Sequence, residues 1–428
     1  MKYRLNAVWV ALTIVFAGAL LGGEVKTGTF DSAATSINAL GLDLLGKGTA
    51  ADSNTLLSPF SIQLALAMTY AGADGDTRTE MAKVLHFADD EMALHSSFAT
   101  LQKALDDIEK RTTELAMNSA KYGGPSDPVT VTVANRLFGQ PRYEFRAPFL
   151  ALVKDTYGAP LQPMDFATNP AQAIKDINAW VLQQTRKRIP NLIPPDGLTS
   201  ETRLVLVNAI YLKAPWAKEF NKDTTKPEAF HVKGGDAVDV PTMLRQDHFN
   251  YSQQDGFRTI CIPYAGGELQ MLILLPDEQN GLSKTEAKLT AEKLASFAKA
   301  GAADVVLHLP KFKMQPPLFR LGKALKELGM KTAFDEPKGS ANFDRMAPRK
   351  PDDYLYISEV FHKTFIEVDE KGTEAAAATA VVMMRAGSAY RPNPAEPIEF
   401  RVDRPFLFAI QHRVSGACLF MGRVTDPR

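Results

Sequence analysis

The stretch EVDEKGTEAAAATAVVMMR at residues 367–385 is the most informative part of the 428-residue chain. Its alanine run has a high helix propensity, so a short exposed helix or an Ala-rich linker is the ordinary interpretation. No charge, proline or glycine occurs in the ten residues after Glu374, so nothing there would prevent a strand from entering between two others. As a strand, the segment would place small or apolar side chains on one face, namely Thr373, Ala375, Ala377, Thr379, Val381 and Met383.

Helical patterns dominate the first part of the chain and strand patterns the second. Amphipathic or apolar helices are predicted at about residues 30–45, 59–71, 75–115, 171–189 and 318–328, the last being the one helix among the later strands. Strands are predicted at residues 55–57, 129–138, 204–212, 257–263, 270–275, 305–309, 354–368 and 406–410. This order favours an α+β fold with helices packed on large antiparallel sheets. No Pro- or Gly-rich linker divides the chain after its amino-terminal segment, so we expect one domain over about residues 30–428.

The charge balance and the two cysteines indicate which kinds of surface and cross-link to expect. The 49 basic and 49 acidic side chains give a pI near 7.1, which argues against a dedicated nucleic-acid surface. Cys261 and Cys418 each lie in an apolar segment whose sequence is typical of a strand. We therefore expect two free thiols in the core rather than a disulfide.

The amino-terminal residues predict export. Lys2 and Arg4 precede an apolar run at residues 7–21, and polar residues follow it, which is the pattern of a secretory signal peptide over residues 1–23. Cleavage after Ala19 or after Gly23 fits equally well. An uncleaved membrane anchor is the alternative, so the expected location is extracellular, with periplasmic or membrane-anchored placement left open.

Sequence motifs for catalysis, metals and cofactors are not recognised. The run at residues 41–47 matches most of a phosphate-binding loop, but Gly48 stands where Ser or Thr is needed. No Gly-x-Ser-x-Gly elbow, His-Glu-x-x-His helix or Cys-x-x-Cys pair occurs. We therefore predict that the chain is not an enzyme and uses no cofactor and no metal.

Several segments, in order along the chain, resemble the serpin family of serine protease inhibitors. The segment 370–378 resembles the hinge of inhibitory members, and 400–408 resembles the segment after the reactive loop. Similar matches occur at residues 54–62, 72–77 and 206–216, so the resemblance spans about residues 30–427. It implies three β-sheets, eight or nine helices and an exposed reactive-centre loop at about residues 370–399.

The resemblance also implies a mechanism. A serine protease attacks the loop and forms an acyl-enzyme, and the loop then inserts into the main sheet as a new strand. The expected partner is thus a serine protease, held in a covalent complex by a monomeric inhibitor. The alternative is a non-inhibitory serpin that serves as carrier, chaperone or storage protein, which the small residues at 373 and 375–380 disfavour.

Hinge and scissile residues follow from the same resemblance. The hinge is expected at Glu370, Gly372, Thr373, Ala375, Ala377 and Thr379. Counting seventeen residues from Glu370 places the scissile bond at Ala386–Gly387, which suits an elastase-like or subtilisin-like protease. A loop one residue shorter would be cut at Arg385–Ala386 by a trypsin-like protease. The residues at 389–397 are additional to the family pattern and contain three prolines.

Two further groups of residues carry family roles. Ser58, Ser61, Asn208 and His362 resemble a hydrogen-bonded latch between the central strands, and Trp216 resembles the tryptophan at the loop-entry point. Without these family roles, the two serines would be read as helix caps and Asn208 as a buried amide. His362 would be a core histidine and Trp216 a core aromatic. The mixed charges at residues 100–125 predict no heparin-like activator. Asn250 begins a glycan-acceptor pattern that matters only in a eukaryotic secretory route.

Overall fold

The computed structural model describes residues 28–47, 49, 53–120, 127–232, 235, 237–374 and 396–428. Nine α-helices lie in this part of the chain: α1 (Gly28–Lys47), α2 (Pro59–Ala71), α3 (Gly75–Val84), α4 (Glu91–Ala120), α5 (Ala147–Tyr157), α6 (Pro170–Gln184), α7 (Leu282–Glu286), α8 (Ala291–Ser296) and α9 (Gly322–Leu328).

The described strands form three sheets. Sheet I has nine strands: β1 (Thr55–Leu57), β5 (Lys226–His231), β6 (Ala237–Gln254), β7 (Phe257–Pro263), β8 (Leu269–Pro276), β9 (Ala302–Pro310), β15 (Ile398–Arg401), β16 (Phe406–His412) and β17 (Cys418–Val424). Sheet II has six: β2 (Thr130–Gly139), β3 (Leu161–Pro163), β4 (Leu204–Pro215), β10 (Phe312–Met314), β13 (Ile366–Val368) and β14 (Gly372–Thr373). Sheet III pairs β11 (Phe319–Arg320) with β12 (Phe361–His362). The α+β prediction with three sheets and eight or nine helices is confirmed.

Sheet II carries the candidate site, and its strand order is β10-β13-β14-β4-β2-β3. Both of its faces are covered. One face joins the main apolar core through Val131 and Leu212, while Phe138 and Val207 pack with Ile177 of α6 in a second cluster. Alternate residues of a strand point to opposite faces, so β2 and β4 contribute to two cores at once.

Helix α2 passes through the main core, and the sequence explains its start. The Ser58 side chain accepts a hydrogen bond from the amide of Ser61 at 3.2 Å, and Pro59 occupies the first turn. Serine is a favourable N-cap and proline suits the first helical position. The helix is apolar around most of its circumference and almost entirely buried, as expected for a helix inside a large core.

Some predicted elements differ from the structure. Residues 354–368 were expected as one strand, but only 361–362 and 366–368 are strands. The expectation of a single late helix, at 318–328, was also wrong: residues 319–320 form β11, and the short helices α7 and α8 precede it. Helices of five or six residues are too short to show an amphipathic period.

The described residues also bear on the expectations for cysteines, membrane spans and metal sites. Cys261 and Cys418 are free and buried, which confirms the predicted core thiols. In the described ranges, no helix is both long and apolar enough to span a bilayer. The same residues contain no group of three or more His, Cys, Asp or Glu side chains that could hold a metal ion.

Candidate functional site

A tight turn brings the predicted hinge back into sheet II. Asp369 donates its backbone N–H to the Gly372 carbonyl at 3.0 Å, and its carboxylate accepts the Lys371 and Gly372 amides at 2.9 and 3.2 Å. The chain therefore reverses between β13 and β14. Strand β14 is antiparallel to both of its neighbours, with Thr373 opposite Val368 on β13 and opposite Ala214 on β4. Two of the predicted hinge residues, Gly372 and Thr373, thus form a strand inside the sheet.

Glu370 fastens this turn to the rest of the molecule. Its carboxylate accepts hydrogen bonds from the Lys311 ammonium at 2.8 Å and from the Thr225 hydroxyl at 2.9 Å. Burial alone would raise the pKa of Glu370, but these hydrogen bonds outweigh it and lower the pKa below the ordinary range. The carboxylate is therefore a charged anchor for the upper end of the hinge.

Trp216, which the family resemblance predicts to lie at the loop-entry point, is next to this turn. Its indole N–H donates to the Asp369 carbonyl at 2.9 Å, and its backbone N–H donates to the Lys371 carbonyl at 2.8 Å. The indole is fully buried and stacks on Tyr264, with ring centroids 4.6 Å apart and planes 5° apart. The Tyr264 and Thr373 hydroxyls form a buried hydrogen bond. Trp216 and Tyr264 therefore hold both ends of the turn.

Glu374 follows β14 and carries a buried charge. Its side chain is only 10% exposed, and Arg188 Nε donates to its carboxylate at 2.6 Å. Burial raises the pKa of Glu374, and the hydrogen bonds from Arg188 and Tyr211 offset part of that rise. Burial and the nearby Glu374 carboxylate also raise the pKa of Tyr211 to about 12. Glu374 and Tyr211 therefore form a polar cluster with Arg188 at the end of the inserted strand.

Below β14, none of the described strands lies between β4 and residues 354–362. A cavity of about 410 Å³ lies there, lined on one side by residues 204–208 of β4 and on the other by residues 354–362. We call this cavity the slot. On this edge, β4 pairs with the described chain only through Ala214 and Pro215, which face β14. Residues 354–360 therefore have strand-like sequence but no strand neighbour across the slot within the described chain, which explains why they are not a strand.

The four predicted latch residues meet around the start of α2. The Ser58 amide donates to His362 Nε2 at 3.0 Å on one side of the slot. On the other side, the Ser61 hydroxyl donates to Asn208, and the Asn208 amide donates to Asn135 on β2. Each side of the slot is thus attached to the N-terminal turn of α2, which makes the latch a pair of contacts rather than one bond across the sheet.

The latch histidine is held in its neutral form. Burial lowers the pKa of His362 to about 3, because a charged imidazole is poorly solvated inside the core. A neutral imidazole can accept a hydrogen bond at one ring nitrogen. His362 therefore serves as an acceptor for the Ser58 amide, consistent with a structural role in the latch.

The remaining predicted residues lie outside the described part of the chain: Ala375, Ala377, Thr379, Arg385, Ala386 and Gly387. Sequence reasoning in turn missed four residues that the structure brings to the site: Asn135, Arg188, Tyr264 and Lys311. The only sequence signal for any of them was the basic run at residues 186–188, and such runs are usually solvated surface. Their roles arise from contacts between distant segments.

Comparison with known proteins agrees with this geometry. The family model described as "Serpin (serine protease inhibitor)" matches residues 35–427. A leukocyte elastase inhibitor from Equus caballus is 38% identical over 383 residues, covering 87% of this chain and 93% of that protein. An uncharacterized serpin-like protein from Thermococcus kodakarensis is 36% identical and covers 94% of this chain and 88% of its own length.

Solved structures give the same result. The structure titled "Cleaved Serpin 42Da" superimposes with a TM-score of 0.78 at 30% identity, covering 94% of this chain and 100% of that one. The thermophilic serpin tengpin in its native state gives a TM-score of 0.76 at 28% identity, covering 94% of each chain. The expectation that the chain is not an enzyme agrees with these matches. The chain therefore belongs to the serpin family and is homologous to elastase inhibitors.

Proposed function

We propose that the protein is an irreversible, monomeric inhibitor of serine proteases that traps its target by inserting its own cleaved loop into sheet II. The observation that carries this proposal is the position of β14. Its two residues, Gly372 and Thr373, already lie between β4 and β13, and the slot lies beneath them. The inserted strand therefore needs only to be extended, and no new site has to be opened at its upper end.

The register of β14 supports the fit of the rest of the loop. Thr373 is opposite Ala214, so a strand continued in this register would bring Thr379 opposite Asn208 of the latch. The residues that share the face of Thr373 would be Ala375, Ala377, Thr379, Val381 and Met383. All are small or apolar, as the buried face of a central strand requires.

The chemistry begins with ordinary proteolysis. The protease serine oxygen attacks the scissile carbonyl carbon, and the peptide C–N bond breaks, releasing a new amino terminus. The amino-terminal fragment, which ends at the scissile carbonyl, then remains joined to the protease by an ester until water hydrolyses it. Trapping requires the loop to insert before that hydrolysis, since insertion draws the acylated protease away from its normal geometry.

The energy available from insertion is sufficient. Roughly a dozen inserted residues, at about 1 kcal/mol net per hydrogen bond, give on the order of 10 kcal/mol. This is comparable with the whole stability of an ordinary domain, about 5–15 kcal/mol. Deformation of a bound protease is therefore within reach.

An elastase-like or subtilisin-like protease is the proposed target. Cleavage at Ala386–Gly387 would suit such an enzyme, and a relative is named leukocyte elastase inhibitor. Cleavage at Arg385–Ala386 by a trypsin-like protease is the second possibility. Incubation with elastase, subtilisin and trypsin followed by denaturing electrophoresis tests the proposal, and mass spectrometry of the released peptide identifies the bond. A covalent complex is expected; cleaved inhibitor alone with all three would support the carrier, chaperone or storage alternative.

We also propose that the protein is exported after removal of a signal peptide that ends at Ala19 or Gly23, and that it needs no sulfated-polysaccharide activator. The basic, apolar and polar succession at residues 1–27 supports export. The amino-terminal mass of the protein recovered from the medium of an expressing culture would test it, and retention of Met1 in a membrane fraction would favour an anchor. A salt-sensitive rate increase with heparin would contradict the second point.

A further inference from the structure

A buried carboxylate at the hinge needs an explanation. Glu374 is 10% exposed on its side chain, and burying an unpaired carboxylate is strongly unfavourable. Arg188, from the segment between α6 and β4, supplies the compensating charge at 2.6 Å. The position of Glu374 in the sheet therefore depends on Arg188.

The backbone conformation of Glu374 differs from that of a continuing strand. Its φ angle is +49°, a left-handed conformation that is uncommon for a residue other than glycine. Its N–H still donates to the Glu367 carbonyl of β13 at 2.7 Å. A continuing strand needs extended dihedral angles, so Glu374 must change conformation before Ala375 can follow Thr373 into the slot.

The ion pair lies between residues from both sides of β14. The Arg188 guanidinium lies 4.9 Å from the ring centroid of Phe365, which immediately precedes β13. Tyr211 of β4 approaches Glu374 from the other side. Glu367 of β13 is the other nearby acid, and it is paired with Lys313 at 3.1 Å. Arg188 and Glu374 therefore contact residues in, or next to, both strands that flank β14.

We propose that Arg188 and Glu374 form a lock that holds the hinge at two inserted residues until a protease cuts the loop. This inference rests on the proposed trapping function and describes its regulation. Arg188 is a positioning residue, because it acts on the loop only through Glu374. Without Arg188 the buried carboxylate has lost its compensating charge, so the hinge leaves sheet II and Thr373 leaves Tyr264.

Three variants of the uncleaved full chain test the lock: Arg188→Ala, Glu374→Gln and the double variant. Hydrogen exchange of the residue-374 amide is measured by mass spectrometry. In Arg188→Ala this exchange should accelerate by about tenfold or more, because the hinge leaves the sheet. In Glu374→Gln and in the double variant it should stay close to wild type, because a neutral amide can be buried without Arg188. Rescue by removing a second group is a result that general damage to the fold would not produce.

Arg320→Ala is a matched control. Arg320 is similarly exposed, pairs with Asp196 at 2.9 Å and lies over the ring of Phe361, but it does not contact the hinge residues. Its exchange at residue 374 should equal wild type. Unchanged exchange in Arg188→Ala, or a double variant as exposed as Arg188→Ala, would overturn the lock.

The exchange measurement needs no protease, so it separates the lock from the trapping function. If the predicted exchange pattern appears but no variant forms a covalent complex, the lock stands and the inhibitor proposal fails. If complexes form while exchange is identical in all variants, inhibition stands and the lock fails. If both stand, Arg188→Ala should change the yield of complex and the double variant should restore it.

Discussion

Gly372 and Ala214 approach so closely that a β-carbon at Gly372 would lie 2.2 Å from the Ala214 carbonyl oxygen. The φ angle of Gly372 is +154°, which L-residues rarely adopt. Sheet II can therefore hold β14 in its present position only if residue 372 lacks a side chain.

Gly372→Ala should consequently displace β14 from the sheet while leaving the rest of the fold in place. The amides of residues 372–374 should exchange faster by about tenfold or more, as expected when local structure opens. Gly46→Ala is the control, because nothing lies within 4 Å of a β-carbon at Gly46 of α1. Equal protection of the hinge in both variants would mean that the close approach to β4 does not control insertion.

Thr373→Arg should convert the protein from inhibitor to substrate. Thr373 is 2% exposed and hydrogen-bonded to Tyr264, and a guanidinium cannot be buried there without a charged partner. The ratio of covalent complex to cleaved protein should fall by about tenfold or more, since each tenfold change needs only about 1.4 kcal/mol on the insertion barrier. The control Thr79→Arg, at an exposed position, should leave that ratio unchanged. An undiminished ratio in Thr373→Arg would show that trapping does not require burial of residue 373 in the sheet.

Features encoded locally could be predicted from the sequence. Ser58 and Pro59 mark the start of α2 because a cap and a first-turn proline act within a few residues. The family resemblance brought Trp216 and the four latch residues to the same region of the fold. These positions could be named before any contact was known.

Features that depend on distant pairing could not be predicted. Residues 354–360 have strand-like sequence, yet strand formation requires a neighbour, and the slot separates them from β4. The ion pair of Arg188 with Glu374 joins residues 186 positions apart. Neither charge pattern nor periodicity encodes such a contact, because each describes only a local segment.

Asn208→Ala should destabilise the uncleaved protein. Asn208 accepts from Ser61 and donates to Asn135, and both partners are buried. Leaving buried polar groups unpaired costs about 1–3 kcal/mol each, so the free energy of unfolding in urea should fall by about 2 kcal/mol or more. The exposed Gln162→Ala should stay within about 0.5 kcal/mol of wild type. A similarly small effect at Asn208 would show that the latch contributes little to stability.

Stability should decrease in mild acid because of His362. Its pKa in the folded protein is about 3, lowered by burial from an ordinary value of 6.5. Between these values the unfolded chain binds a proton that the folded protein does not bind, so the free energy of unfolding decreases as the pH falls from about 6.5 toward 3. Above pH 6.5 this contribution is fully present.

Urea unfolding of wild type and His362→Gln between pH 7.5 and 4.5 measures that contribution. Glutamine can still accept the Ser58 amide hydrogen bond but does not titrate, so the variant should lose part of the pH dependence. His412, whose pKa burial lowers to about 4, and His95, whose pKa burial also lowers, should contribute to the remaining pH dependence. Identical pH dependence in the two proteins would show that His362 does not carry the effect.

The most direct test of loop insertion is the melting temperature before and after a single cut in the loop between residues 375 and 395. If the cleaved loop fills the slot between β4 and residues 354–362, the cut protein should melt at a much higher temperature than the intact one, because the added strand contributes on the order of 10 kcal/mol. An unchanged or lower melting temperature after complete cleavage would contradict the proposal that this serpin inhibits by insertion.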